Sequence, residues 1–136
     1  MKTNSSLSVV AFGGLSGRVD QAFSVINQLY KAVPRPLYLI SSLNISFLLH
    51  PGRNTIHAPS HLFGPCCGVI PTFGPMKITL EGFRWDLGTA SFDNADRVDN
   101  VDSLFGGLIS TSNEIAGESC IVTIDQYALW TIEFRR

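Results

Sequence analysis

Apolar residues at Ala22, Val25, Ile26, Leu29 and Val33 recur at the i, i+3, i+4 spacing of one helical face. Arg18 and Asp20 open this pattern and Pro34 and Pro36 end it, so the spacing predicts one amphipathic helix. Before it, the apolar run Val9, Val10, Ala11, Phe12 reads as a strand that passes into Gly13, Gly14 and Gly17. After it come apolar segments of strand length at 37–40 and 45–49, then His50-Pro51-Gly52-Arg53. Pro followed by Gly at the centre of four residues suits a type II turn, so the chain is expected to reverse there and return through 54–57.

The second half of the chain is read as short strands between turns. A Pro/Gly-rich loop over 58–65 leads to a strand at 67–70 and a turn at 71–75. In the alternating run 76–81, Met76, Ile78 and Leu80 are expected to face a core, with Lys77, Thr79 and Glu81 facing away. Residues 82–87 (GFRWDL) continue or bend this strand, Gly82 being able to support a bulge. Residues 88–103 are polar, with Asp93, Asp96, Asp99 and Asp102 three apart, a spacing that does not fit a calcium loop, and read as a solvated insertion. Further strands are expected at 104–110, 120–124 and 128–134, where Trp130, Ile132 and Phe134 alternate. One early strand and helix followed by many short strands suggests the edge of an α/β unit joined to an all-β sandwich.

Composition narrows the function classes. The chain has 136 residues, 45% of them apolar, enough for one domain, or one and a fragment, with a real core. Its charged fraction is 15% and its net charge −1, which gives no electrostatic case for binding nucleic acid or an anionic membrane surface. No apolar run approaches a membrane span. Cys66, Cys67 and Cys120 make an odd count without C-x-x-C spacing, and the leader lacks the features of a secretory signal. A reduced chain in the cytoplasm is expected.

Several residues could carry chemistry. A strand, a glycine loop and a helix meet at 9–21, an arrangement that brings backbone N–H groups and a helix N-terminus towards an anion. Arg18 adds a bidentate phosphate donor, and Asp20 a carboxylate for magnesium or a hydroxyl. The glycines fall as GGxxG, matching neither nucleotide-loop fingerprint, and a turn in which Asp20 merely caps the helix explains them as well. Trp85, between Arg84 and Asp86, is either a core ring at a strand end or a platform for a flat ligand. Residues 110–113 offer three hydroxyls and an amide, as a self-satisfied turn or as a pocket wall. His57 and His61 stand in H-x-x-x-H spacing with no cysteine pair or nearby acid to complete a zinc set. Cys120 lies in an apolar strand and reads as a buried, inert thiol, and no G-x-S-x-G elbow is present.

In order, GGLSGRVDQ (13–21), LLHPGRNTIH (48–57), CGVIP (67–71), GFRWDL (82–87), FGGLISTSN (105–113) and LWTIEF (129–134) resemble the C-terminal part of the thiamine pyrophosphokinase (thiamine diphosphokinase) family. The resemblance implies a mainly β chain, with a C-terminal β-sandwich at 46–136 preceded by a strand-helix-strand remnant of an α/β catalytic domain at 1–45. It also implies a homodimer, or pairing with a full-length subunit, in which the α/β part of one subunit faces the sandwich of the other. The implied reaction moves a pyrophosphoryl group from ATP to thiamine, with magnesium, releasing AMP. Arg18 and Asp20 would then be catalytic, Asp20 holding the metal, with Gly14, Gly17 and Gln21 at the phosphates. Trp85 would stack on the thiamine pyrimidine, and Ser110, Ser112 and Asn113 would hydrogen-bond to thiamine or shape its pocket.

Two departures accompany the likeness. The family's upstream aspartate-rich segments have no counterpart here, and the polar stretch 88–103 is longer than the family's usual link. Phosphoryl-type transfer depends on positioning and charge neutralisation, so loss of those carboxylates is expected to remove catalysis even where thiamine binds. The competing expectation is a truncated, non-catalytic thiamine-binding or dimerisation module.

Overall fold

The computed structural model describes residues 8–13, 15, 17–88 and 100–136. The described chain runs β1 (Val9–Phe12), α1 (Val19–Ala32), β2 (Leu37–Ile40), β3 (Asn44–Leu49), β4 (Gly52–His57), β5 (Phe63–Ile70), β6 (Met76–Glu81), β7 (Val101–Ser103), β8 (Ser110–Glu114), β9 (Ser119–Ile124) and β10 (Ala128–Phe134). A six-stranded sheet has the order β1-β2-β3-β10-β5-β8, and a four-stranded sheet the order β4-β9-β6-β7. This is the mainly β fold with one early helix that the strand-length segments predict.

Three layers result: α1, the six-stranded sheet and the four-stranded sheet. Side chains alternate across a strand, so a strand covered on both faces needs apolar residues at consecutive positions. On β10, Trp130 and Ile132 join Leu49, Val69, Ile78, Leu80, Val122 and Ile124 in the core between the sheets, whereas Leu129 joins Leu29 and Leu39 under the helix. The helix buries Leu29 and packs Val25 and Ile26 against the same cluster, as its periodicity predicts. Its carboxyl end is tied to the sandwich loops by Tyr30, whose hydroxyl bonds to that of Thr72 and whose ring meets Phe73 and Tyr127.

β1 and β2 pair in parallel, and β2 then pairs antiparallel with β3, so the strand-helix-strand segment and the sandwich share one continuous sheet. The expected division between residues 45 and 46 falls inside β3.

The structure departs from the sequence expectations at several points. Gly52 has the positive φ that a type II turn requires, but β4 does not return along β3: it crosses to the other sheet and pairs with β9. The expected loop over 58–65 ends early, because β5 begins at Phe63, whose ring stacks on Phe134 at 5.7 Å. Thr79 points off the core face yet is buried, donating its hydroxyl hydrogen to Asn100 Oδ1 at 2.8 Å. The insertion ends in β7, which pairs with β6, and Lys77 there meets Asp102 at 2.6 Å; Asp93, Asp96 and Asp99 lie outside the described residues. The expected strand at 104–110 is a turn closed by the Leu104 N–H on the Leu108 carbonyl, and the polar run after it forms β8 instead.

Leu80 is wholly buried between the sheets, whereas Phe12 is 80% exposed. Leu80→Ala is expected to lower the unfolding free energy by about 2–5 kcal/mol. Phe12→Ser is expected to change it by less than about 0.5 kcal/mol, both read from urea denaturation.

Candidate functional site

A cavity of about 310 Å³ is lined by Trp85, Leu87, Leu108, Ile109, Ser110, Thr111, Ser112 and Asn113. Its wall starts at Gly82, whose φ of +87° turns the chain out of β6; a Cβ there would lie 3.0 Å from the Ser119 carbonyl oxygen. Phe83 then enters the core and meets Trp130 edge-on at 6.1 Å. The paired backbone bonds between Leu80 and Leu87 close the bend. With Phe83 anchored inward, Trp85 is left 52% exposed, and the Arg84 guanidinium sits 4.7 Å from its ring centroid.

Asn113 ties down the backbone of Trp85. Its Oδ1 accepts the N–H of Trp85 at 3.3 Å and that of Glu114 at 2.8 Å. Its Nδ2 donates to the Trp85 carbonyl at 3.0 Å and to Ser110 Oγ at 3.3 Å. Both donors and both acceptor positions of the amide are thus used inside the protein, so this buried side chain shapes the pocket rather than offering a free group to a ligand. Ser110 is buried with it, whereas Ser112 is exposed. Ser112 has φ +56°, a left-handed conformation costing a non-glycine residue about 1–2 kcal/mol. It lies where the β5–β8 register shifts between Cys67 and Val69, so Thr111 and Ser112 are both exposed and strict alternation fails.

The structure thus brings Trp85, Ser110, Ser112 and Asn113 together. Sequence reading missed the apolar lining, Leu87, Leu108 and Ile109, although their position beside the tryptophan and the hydroxyl run was a usable signal.

The other group of expected site residues lies elsewhere. Gly14 falls outside the described residues; Gly17 has φ +87° and Gln21 is exposed in the first turns of α1. Arg18 is the N-cap residue of α1 and its side chain makes no capping bond; Asp20, which one reading expected to be the cap, is bonded to Arg18 instead. Arg18 Nη2 and Nε donate to the two carboxylate oxygens of Asp20 at 2.6 and 3.1 Å. The pair is largely exposed and contributes little to stability. Among the described residues no group of three His, Cys, Asp or Glu is placed to hold a metal ion. One carboxylate already bound to a guanidinium does not make a magnesium site, which needs several oxygen ligands. Within one chain the two groups are far apart. β1 and β8 are opposite edges of the six-stranded sheet, five inter-strand steps of about 4.8 Å, or about 24 Å, from each other.

His57 and His61 are exposed and belong to no such metal group. Burial pushes both the Cys67 and Cys120 thiols up to about 12. Such thiols are inert at neutral pH. Alkylation at about pH 8 is therefore expected to label Cys66 alone until the chain unfolds. The folded state keeps these two protons to higher pH than the unfolded state does. Stability is accordingly expected to fall as pH rises from 9.0 towards about 12, and Cys67→Ala with Cys120→Ala should flatten that fall in urea titrations.

Residues 53–129 match the family described as Thiamin pyrophosphokinase, vitamin B1 binding domain. The chain is 37% identical over 134 residues to Thiamine pyrophosphokinase 1 of Arabidopsis thaliana, covering 97% of this chain and 46% of that protein. It is 38% identical over 136 residues to Thiamine pyrophosphokinase 3 of Oryza sativa subsp. japonica, with 96% and 46% covered. The solved structure of thiamin pyrophosphokinase from Candida albicans superposes with a TM-score of 0.78 at 26% identity, covering 94% of this chain and 44% of that one. The chain spans about half the length of the curated relatives it matches. Among the described residues no helix is long and apolar enough to cross a membrane.

Proposed function

The chain belongs to the thiamin pyrophosphokinase family through its vitamin B1 binding domain, and from that premise we propose that it supplies the thiamine side of a thiamine diphosphokinase, which converts ATP and thiamine to AMP and thiamine diphosphate. One observation carries the reading: Trp85 stands exposed over a cavity walled by Ser110, Thr111, Ser112 and Asn113, inside the matched segment. A flat ligand suits this geometry, since half of the ring is exposed and the hydroxyls offer donors and acceptors. In this reading Trp85 stacks on the thiamine pyrimidine and Ser112 bonds to it, while Ser110 and Asn113 set the wall. Residues 46–136 form the thiamine-binding and dimerisation part, and residues 1–45 the end of the catalytic part.

Arg18 and Asp20 act on the ATP side, with Gly14, Gly17 and Gln21 at the phosphates. Asp20 is one contributor to a metal site that the described residues do not complete, so no step is routed through magnesium. The chain's own contribution is to orient: a guanidinium beside the transferring phosphates offsets their charge, and the pocket holds the acceptor alcohol in line. The separation of about 24 Å between the two sheet edges supports a homodimer in which the Arg18 region of one copy faces the Trp85 pocket of the other. A purely non-catalytic module is the less favoured reading, since relatives matching nearly the whole chain are named as kinases.

Trp85→Ala is expected to weaken thiamine binding by about 1–3 kcal/mol in calorimetric titration. Unchanged binding in a folded variant removes the stacking role. Incubation with thiamine, ATP and magnesium tests the reaction: thiamine binding without thiamine diphosphate or AMP selects the non-catalytic module. If the chain turns over, Asp20→Ala and Trp85→Ala proteins, assayed at a thiamine concentration where each alone is nearly inactive, should recover up to about a quarter of the activity when mixed, because half of each heterodimer's sites are intact. No recovery despite subunit exchange overturns the shared site.

A further inference from the structure

A larger cavity than the Trp85 pocket lies apart from both groups of residues. It encloses about 570 Å³ and is lined by residues 29, 33, 35–38, 47–50 and 53–57. It exists because the four-stranded sheet is narrower than its partner: β4 is the edge strand of the smaller sheet, while β2 and β3 lie towards the β1 edge of the larger one. The cavity sits where β2 begins and β3 ends. Gly13 and Arg18 lie at the other end, beyond the pairing of Phe12 with Ile40, and Trp85 lies at the β8 edge.

Its chemistry is one-sided. The lining holds Arg35, Arg53, His50 and His57 and no Asp or Glu. Neither guanidinium makes an ion pair or side-chain hydrogen bond with any described residue. The carboxyl end of α1 also faces this region and opposes an anion, but its partial charge is about half a unit against two full positive charges. Apolar Leu37 and Leu49 line it further, and Tyr38 and Phe47 make an aromatic wall, edge to face at 5.2 Å. The volume lies within the range of sites for small organic ligands.

We propose that this cavity is a second ligand site, taking a small anion with a flat ring, of the nucleoside monophosphate class. The phosphate meets Arg35 and Arg53, which can each present two N–H donors to it. The ring packs on Tyr38 and Phe47.

The test is calorimetric titration of the chain with AMP, with adenosine and inorganic phosphate as half-ligands. The expected result is AMP binding that is tighter than either half-ligand and weakens as salt rises. Arg35→Gln and Arg53→Gln should each weaken it by about tenfold or more. Both side chains are exposed and unbonded, so an unchanged thermal midpoint is expected to accompany the loss. A charge-retaining Arg53→Lys variant should recover part of the affinity. Trp85→Ala should leave AMP binding unchanged. Absence of AMP binding, or binding unaffected by both arginine substitutions, overturns the proposal. Binding that survives them and is lost in Arg18→Ala belongs to the loop before α1 and overturns it as well. None of these outcomes depends on thiamine turnover, so the second site can fail while the proposed function stands.

Discussion

Strand β10 must satisfy two apolar layers at once, and the rest of the molecule is arranged around that constraint. It lies between β3 and β5, sends Trp130 and Ile132 into the sandwich and Leu129 under α1. A one-residue slip would exchange these faces, placing the indole against the helix, so register is strongly specified. The polar residues of the strand obey the same logic. Thr131 is paired in register with Ser46, and the two hydroxyls bond at 3.0 Å, so a wholly buried serine is not left unpartnered. Because β5 hangs on β10 and β8 on β5, the hydroxyl-bearing wall of the pocket inherits its position from this central pairing.

The pocket itself turns on a division of labour between neighbours in sequence. Phe83 faces the core, Trp85 faces out, and Asn113 ties the backbone of Trp85 to β8. Leaving half of a tryptophan ring in solvent forgoes apolar burial that folding alone would favour. Holding Ser112 at positive φ is likewise unfavourable for the fold. Both costs fall on residues of one cavity. That coincidence, rather than the cavity's size, is what supports the proposed ligand site there, since the arginine-lined cavity is larger.

Much of this was legible in the sequence wherever periodicity and burial agree. The helix, β10 and the inward set Met76, Ile78 and Leu80 follow directly from spacing, because each has one dominant apolar face. The failures have physical causes. The 104–110 stretch looks like a strand by composition, but Gly106, at positive φ, and Gly107 let the chain close a turn on itself. The Ser-Thr-Ser-Asn run looks like a turn, yet it forms a bulged edge strand in which Ser110 and Asn113 are buried and bonded to each other while Thr111 and Ser112 are exposed. Thr79 alternates outward correctly, and only the returning insertion, through Asn100, covers it. The choice of β9 over β3 as partner for β4 depends on packing between layers, which local pattern does not encode. At the site, the sequence pointed to Trp85 and the hydroxyl run without showing that Asn113 is fully committed within the protein.

The shared sheet bears on how any two-substrate chemistry could be assembled. β1, α1 and β2 do not form a separate unit, because β2 is hydrogen-bonded to β3 and α1 packs on Leu129 of β10. The Arg18 and Asp20 pair is therefore carried on the same layer as the pocket, at its far edge, and an internal hinge that brought them together would have to break the pairing of β2 with β3 or of β10 with its neighbours. Separating paired strands would leave backbone N–H and C=O groups without partners, at about 1–3 kcal/mol for each such group that stays buried. A second copy, presenting its own far edge to the pocket, needs no such rupture. Exposed Leu108 beside Trp85, and exposed Val9, Val10 and Phe12 on β1, leave apolar surface at both edges, and association there would remove it from water.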